Sequence, residues 1–533
     1  MNKKKESKWY FWLAIIVIVF VLLPYLYGYV IQTDNMRFSG SFIGVDDQNS
    51  YLAKMRRGYE GDWMFITPYS TFPQTGVFMY MPFILLGKLA GGNSIIEQMH
   101  FLLLLMRIAS IILYIYSLKT FFSSFLKDEK NIKFSMIIGI FGGGLGTLSI
   151  FGYESLWNHR LPLEFYSPEA FSFLAMLTLP HIIIARAFLL LAISTWLGKK
   201  SVSINNRKFR YEIVTGIYGM FIFLFQPITF LILLLFILLD MLLKMATSLI
   251  KLNWNIFKTV KENKLSITSV LLLFTALSPI IFYNANLLFL NPFVKAWGKQ
   301  NILTTPPPGD YFLAYSPIFI LIIIGIVKSK HKYRELMVFG LWIILSFILI
   351  YLPLSIQRRF IEGTWIFLVL FAAIGLQTIE KAQIKTIALR VAYTIMLLPS
   401  LFLFTGSVLQ IQSKPEHIFV NQSKLDVYGF IEKTFINGDI LFADHEISNE
   451  IPVWSSMKTI VGQGPESIDE KKYLKIYEDV LNEKEDESSI YAMFYEQQVR
   501  GYIIENKAVD IFSECDKIFQ NDTYTVCRVV QNE

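Results

Sequence analysis

The 533-residue chain is 54% hydrophobic and only 17% charged, against about 25% charged in a soluble domain, which excludes a large soluble protein and points to the membrane class. Its formal charge of +7 does not describe a nucleic-acid surface, because the basic residues sit in short clusters between apolar runs and not along one soluble face. Two cysteines occur, Cys515 and Cys527; a disulfide and a pair of free thiols fit equally, and no CxxC or His/Cys cluster marks a metal site.

From the N-terminus, Lys3-Lys4-Lys5 and Lys8 precede an apolar run from about Trp9 to Val30. The run is longer than the roughly 7–15 residues of a secretory h-region, and no small-residue cleavage site follows, so it reads as a first membrane helix running outward from the cytoplasm. Further spans are read at about 98–124, 134–152, 179–198, 210–225, 227–249, 265–286, 315–328, 336–353, 364–380 and 386–409, each near the length a bilayer requires. Residues 74–91 fit a further embedded or interfacial helix. Alternating the span directions gathers the basic clusters on one side: Lys127/Lys130/Lys133, Lys199/Lys200/Arg207/Lys208/Arg210, Lys251/Lys258/Lys261/Lys264, Lys328/Lys330/Lys332/Arg334 and Lys381/Lys385. That is the positive-inside pattern, and it places the N-terminus in the cytoplasm of a plasma-membrane protein.

Three long loops then fall outside, at about 32–99, 152–178 and 287–314. The third holds Thr304-Thr305-Pro306-Pro307-Pro308, where the prolines cannot continue a helix. Beyond about residue 410 the composition turns mixed and charged. Gly438–Ala443 reads as a turn entering a strand, Val499–Ile504 and Thr523–Val530 read as further strands, and Tyr473, Leu474, Tyr477, Val480 and Leu481 fall at helical spacing. The expected architecture is an all-α polytopic membrane bundle of about eleven transmembrane helices over residues 1–409, with a small extracytoplasmic α/β domain over residues 410–533.

Three places carry candidate chemistry. In the first outside loop, Asp46-Asp47 could hold a divalent cation, or one carboxylate could take a proton from a hydroxyl while the other raises its pKa. The plainer reading is a solvated turn or a helix N-terminus with Asp47 as cap. In the second loop, Glu154, Glu169 and His181 could complete an acceptor or metal site, against an ordinary interfacial histidine. Near the outer end of a late span, Arg358-Arg359 oppose the positive-inside bias. Their guanidinium forks match phosphate oxygens, and snorkelling to lipid headgroups is the alternative. Arg107 and Arg186 lie within expected spans and need polar partners that the sequence does not name.

Several motifs in order resemble the GT-C superfamily of integral membrane glycosyltransferases, in particular bacterial multi-pass members with a long extracytoplasmic tail. They are Asp46-Asp47 with Tyr51-Leu52-Ala53 and Gly58, Pro68-Tyr69, Tyr80-Met81-Pro82, Ser167-Pro168-Glu169-Ala170, and Pro180-His181. Trp297 with Gln300-Asn301, Gln357-Arg358-Arg359-Phe360-Ile361-Glu362-Gly363 and Gly462-Gln463-Gly464-Pro465-Glu466-Ser467 complete the set. The resemblance implies a sugar donor on a polyprenyl phosphate or pyrophosphate and transfer outside the cytoplasm. A first-loop aspartate, Asp46 or Asp47, would deprotonate an acceptor hydroxyl that attacks the anomeric carbon with inversion. The departing phosphate would be held by arginine or by a divalent cation such as Mg or Mn, which not every member needs. The acceptor could be a glycan, a lipid or a protein, with membrane lipids around the bundle and no nucleic acid as partner. Two other classes compete: a transporter or flippase of lipid-linked saccharides, and a non-catalytic envelope scaffold. No internal repeat is visible, and polar residues concentrate in outside loops, which favours the enzyme.

Overall fold

The computed structural model describes residues 3–198, 202–204, 207–328 and 334–529. Lys199, Lys200, Lys330 and Lys332 of the expected basic connections, and Val530 at the end of the last expected strand, lie outside them.

Among the described residues, seven helices are long and apolar enough to cross a bilayer: Ser7–Ile31, Ile95–Phe125, Pro180–Gly198, Pro227–Lys251, Ser266–Leu290, Gln357–Gln377 and Ala382–Gln412. Three shorter apolar helices, Tyr211–Phe225, Pro308–Ile324 and Leu336–Leu349, fall on further expected spans. The protein is therefore a mostly helical, multi-pass membrane protein. The expected span at 134–152 is different. Its helix is Glu129–Phe141, capped by Asp128 through the Lys130 N–H at 3.2 Å, and it stops there. Gly142, Gly143 and Gly144 follow, and glycine is the poorest helix former after proline. The Glu164 carboxylate takes the N–H groups of Gly144 and Gly146, each at 2.9 Å, in place of another helical turn. Residues Gly146–Phe151 close the segment as a 3-10 turn.

The chain divides into two compact units. The first comprises residues 1–21, 106–285 and 303–406 and is helical. Its buried arginines have found partners. Arg186 forms a fork with the Glu362 carboxylate, at 3.0 Å for the Nη2 branch, and also donates to the Pro168 carbonyl at 2.7 Å. Arg107 donates to the Met176 and Leu177 carbonyls.

The second unit comprises residues 22–105, 286–302 and 407–533. Its sheet runs in the order Lys458–Thr459, Ile440–Phe442, Val499–Glu505, Tyr524–Arg528, Asp516–Gln520. The first three strands are parallel to one another, and Tyr524–Arg528 pairs antiparallel with both of its neighbours. Side chains alternate between two apolar clusters, as the two-residue period of a strand requires. Phe442, Tyr502, Ile504 and Cys527 face one cluster with Tyr477 and Phe494, and Leu441, Ile503 and Val526 face the other with Ile431 and Ile451. Cys515 and Cys527 are joined as a disulfide. The first loop belongs to this unit, since Met36–Phe38 pairs antiparallel with Phe419–Asn421. In that loop, the helices Val45–Tyr59 and Met81–Gly87 approach so closely that a Cβ on Gly58 would lie 2.0 Å from the Ile84 carbonyl oxygen.

Candidate functional site

Asp46 and Asp47 occupy the first turn of the Val45–Tyr59 helix, where the positive end of the helix dipole favours carboxylates. The helix cap is Gly44, and no side chain caps it, so Asp47 is not a cap. Both aspartates are exposed and line an open cleft of about 660 Å³ with Phe42, Gly44, Gln410 and His417. Asp46 Oδ2 lies 3.2 Å from His445 Nε2, and His445 Nδ1 lies 3.0 Å from Glu470 Oε1. The hydrogen bonds to Asp46 and then Glu470 outweigh partial burial and push the His445 imidazole up to about 10. Glu470 is itself fixed by the Gly462 N–H at 2.7 Å. Asp47 Oδ1 accepts from the Gln463 amide at 3.3 Å.

The tail segment that supplies Gln463 is held from three directions. Glu466 is buried against Lys54 Nζ at 2.6 Å, and the Thr67 hydroxyl donates to its other oxygen at 2.7 Å. Burial pushes the Lys54 ammonium down, Glu466 opposes that shift, and the Tyr80 ring centroid lies 4.4 Å from Nζ. Gln300 Nε2 donates to the carbonyls of Pro465 and Ser467, each at 2.9 Å. Gly462 has φ +111°, and a Cβ there would lie 2.4 Å from the Asn449 nitrogen, so only glycine fits. Asn449 in turn donates to the Asp46 carbonyl at 3.3 Å and accepts from Asn49 at 2.7 Å. The first loop, the residues around Gln300 and the Gly462–Ser467 segment, separate motifs in sequence, thus converge on one corner of this unit.

In the first unit, Arg358 and Arg359 sit on the 3-10 turn Gln357–Ile361. Glu169 is buried beside them, 3.9 Å from Arg358 Nη2 and 3.8 Å from Arg359 Nε. These are ion pairs too long for hydrogen bonds. The Nε atoms of both arginines are buried with no hydrogen-bond partner among the described residues. Tyr166 lies under the Arg358 guanidinium, 5.4 Å from ring centroid to Cζ. Glu154 is exposed on a separate 3-10 turn, and His181 is buried at the start of the Pro180–Gly198 helix. Among the described residues no group of three or more His, Cys, Asp or Glu is placed to hold a metal ion. Asp46 instead faces the His445 imidazole.

His445 and Glu470 escaped the sequence reading. A lone histidine in a soluble tail, 399 residues from its aspartate partner, has no local spacing that betrays the pairing. The Gly462–Ser467 motif was visible, but its contacts were not.

No protein-family model matches the chain, and no curated protein matches its sequence. Solved structures do match. The Archaeoglobus fulgidus oligosaccharyltransferase in its apo form is 12% identical with a TM-score of 0.56, over 95% of this chain and 70% of that one. AglB from the same organism, in complex with an inhibitory peptide and a dolichol-phosphate, gives 12% identity and a TM-score of 0.54, over 94% and 70%. The mycobacterial arabinofuranosyltransferase AftD gives 10% and 0.53, over 97% of this chain and 40% of that chain. At such identities the likeness is one of fold, and it extends over nearly the whole chain.

Proposed function

We infer that the chain is a membrane glycosyltransferase that moves a sugar from a polyprenyl-phosphate-linked donor to an extracytoplasmic hydroxyl acceptor, with inversion. The observation that carries the reading is the pair of exposed first-loop carboxylates lining an open cleft, on a chain that shares its fold with glycosyltransferases along nearly its full length. One carboxylate accepts the acceptor's hydroxyl proton as the new oxygen–anomeric carbon bond forms. The bond from that carbon to the phosphate oxygen breaks, its electron pair leaving with the lipid phosphate.

Arg358 and Arg359 are assigned to the donor phosphate. Their buried, unbonded Nε donors cost free energy unless an anion completes them, and the guanidinium fork suits phosphate oxygens. The Cys515–Cys527 disulfide supports an oxidising, extracytoplasmic location for the tail. The side of the membrane is tested by cysteines placed singly at Asn263 and Asn301, probed in intact cells with an impermeant thiol reagent. Asn301 reacts and Asn263 does not; the reverse pattern overturns the orientation.

The activity is tested in proteoliposomes with polyprenyl-phosphate sugars labelled in the sugar, envelope glycans as acceptors, and release of polyprenyl phosphate as the readout. Release that requires acceptor supports transfer. Movement of intact donor between leaflets without release makes the protein a flippase, and neither activity makes it a scaffold.

A further inference from the structure

The break at Gly142–Gly144 can be placed in depth against its neighbours within the first unit. The Glu129–Phe141 helix has 13 residues, a length of about 20 Å against a hydrocarbon core of about 30 Å. Glu129, Lys130 and Lys133 occupy its start, so its apolar part is shorter still. Where it stops, the Phe141 ring meets Phe20 at 6.0 Å between centroids, and the Phe141 carbonyl accepts from the Ser400 hydroxyl at 2.7 Å. The Gly143 N–H donates to the Met396 carbonyl at 2.8 Å. Phe20 lies near the middle of the Ser7–Ile31 helix, and Met396 and Ser400 near the middle of Ala382–Gln412. The Glu129–Phe141 helix therefore ends about halfway across the bilayer.

The backbone that follows is irregular but satisfied. Gly142 donates to the Ile138 carbonyl at 2.8 Å and Leu145 to the Leu313 carbonyl at 3.3 Å, while Gly144 and Gly146 donate to Glu164. Non-helical backbone at membrane depth is tolerated where protein supplies such partners. The short helix Leu163–Tyr166 returns to a similar level, since Phe165 packs on Phe402 of the same long helix at 5.1 Å. Between these two anchors Ile150, Phe151, Tyr153, Leu156 and Leu161 all project outward, Phe151 with 72% of its surface exposed. The segment is nonetheless tied down. Trp157 is buried inside it, and Arg160 forks onto Asp310 at 3.0 and 3.2 Å.

We propose that residues 146–161 complete this crossing as a lipid-immersed knuckle. The five side chains lie in the hydrocarbon of the far half of the bilayer, opposite Asp128, and the exposed Glu154 and His159 reach the headgroups. In water each such apolar side chain forfeits about 1.5–3 kcal/mol of burial, and a cluster of five would be a patch that must be covered. In hydrocarbon that penalty vanishes. Both anchors lie at mid-span level, which sets the cluster against lipid and not against a soluble partner. The inference holds for either orientation of the chain and does not depend on the glycosyltransferase reading.

The test is a nitroxide on single cysteines replacing Ile150, Phe151 and Leu156, one at a time, in full-length protein reconstituted into phosphatidylcholine–phosphatidylglycerol vesicles. Both native cysteines are tied in the disulfide, so each label has one target, and a melting temperature near wild type checks each variant's fold. Relaxation by oxygen, which concentrates in hydrocarbon, is compared with relaxation by a water-soluble nickel chelate. The references are labels replacing Leu401, exposed on the Ala382–Gln412 helix, and Asn482, exposed in the tail. The oxygen-to-nickel ratio at the three positions should match that at Leu401 and exceed that at Asn482. A label replacing Glu154 should give a lower ratio than these three, and an equal one would overturn the arrangement. Ratios matching Asn482 would put the knuckle in water and overturn the proposal. Protection from both reagents would mean that a second copy covers the cluster, which overturns the lipid assignment as well.

Discussion

The corner around Asp46–Asp47 and the turn carrying Arg358–Arg359 are both polar sites, built on opposite principles. At the first, the chain supplies the contacts: His445, Gln463, Asn449 and, behind them, the buried Lys54–Glu466 pair. At the second, two guanidinium groups share one carboxylate at 3.8–3.9 Å, and among the described residues their Nε atoms have no hydrogen-bond partner. A buried donor without a partner costs about 1–3 kcal/mol, more when charged. On the proposed assignment, the contrast separates a site organised in advance from one that a bound anion would complete. The proposed proton abstraction would benefit from the first kind of construction, and the proposed binding of a mobile lipid phosphate from the second.

The comparison can be broken most severely at the buried pair behind the aspartates. Lys54→Met leaves Glu466 as an unpaired buried carboxylate and should cost about 3–5 kcal/mol of stability, read as a large fall in melting temperature in detergent. An unchanged melting temperature would mean that the corner is not organised in advance.

At the arginine turn the expected effect is on binding. The double variant Arg358→Ala/Arg359→Ala should weaken polyprenyl-phosphate donor binding by roughly 10–100-fold, the loss of charge-assisted hydrogen bonds worth about 1.5–3 kcal/mol each. The Lys variants should also be impaired, because they keep the charge and lose the planar fork. Unchanged affinity in the double alanine variant removes the phosphate assignment.

The smallest effect is the pH dependence of the His445 pair. Its folded value of about 10 lies above the ordinary 6.5 or so. The pair's contribution to stability is therefore complete below about pH 6.5, declines through the interval, and is lost above about 10. Because Asp46 is 62% exposed, the contribution is about 1 kcal/mol or less. The melting-temperature gap between wild type and His445→Gln should be widest near pH 6 and close near pH 10; a gap that widens with pH contradicts the pairing.

The membrane helices were legible because the bilayer imposes a length and a composition on each. Where expectation and structure part, at 134–152, the cause is also local: three glycines in a row and a carboxylate, Glu164, that satisfies the freed backbone. The tail strands were legible from their apolar residues and turns, as at Val499–Glu505. The pairings were not. Arg186 meets Glu362 across 176 residues, and Lys54 meets Glu466 across 412. Neither period nor spacing encodes such contacts, since they follow from how distant segments pack. The motifs around Asp46, Gln300 and Gly462 were legible as separate segments, and only the fold shows that they form one corner.

The central claim is that first-loop carboxylates perform proton abstraction in sugar transfer. Its most direct test is acceptor-dependent release of polyprenyl phosphate by reconstituted wild type, Asp46→Asn, Asp47→Asn and the double variant. The account predicts release by wild type and a loss on the order of 10²–10⁴ in the double variant, with donor binding and melting temperature near wild type. Full release by the double variant would contradict it, because asparagine keeps the size and most of the hydrogen bonding of aspartate but cannot take the proton.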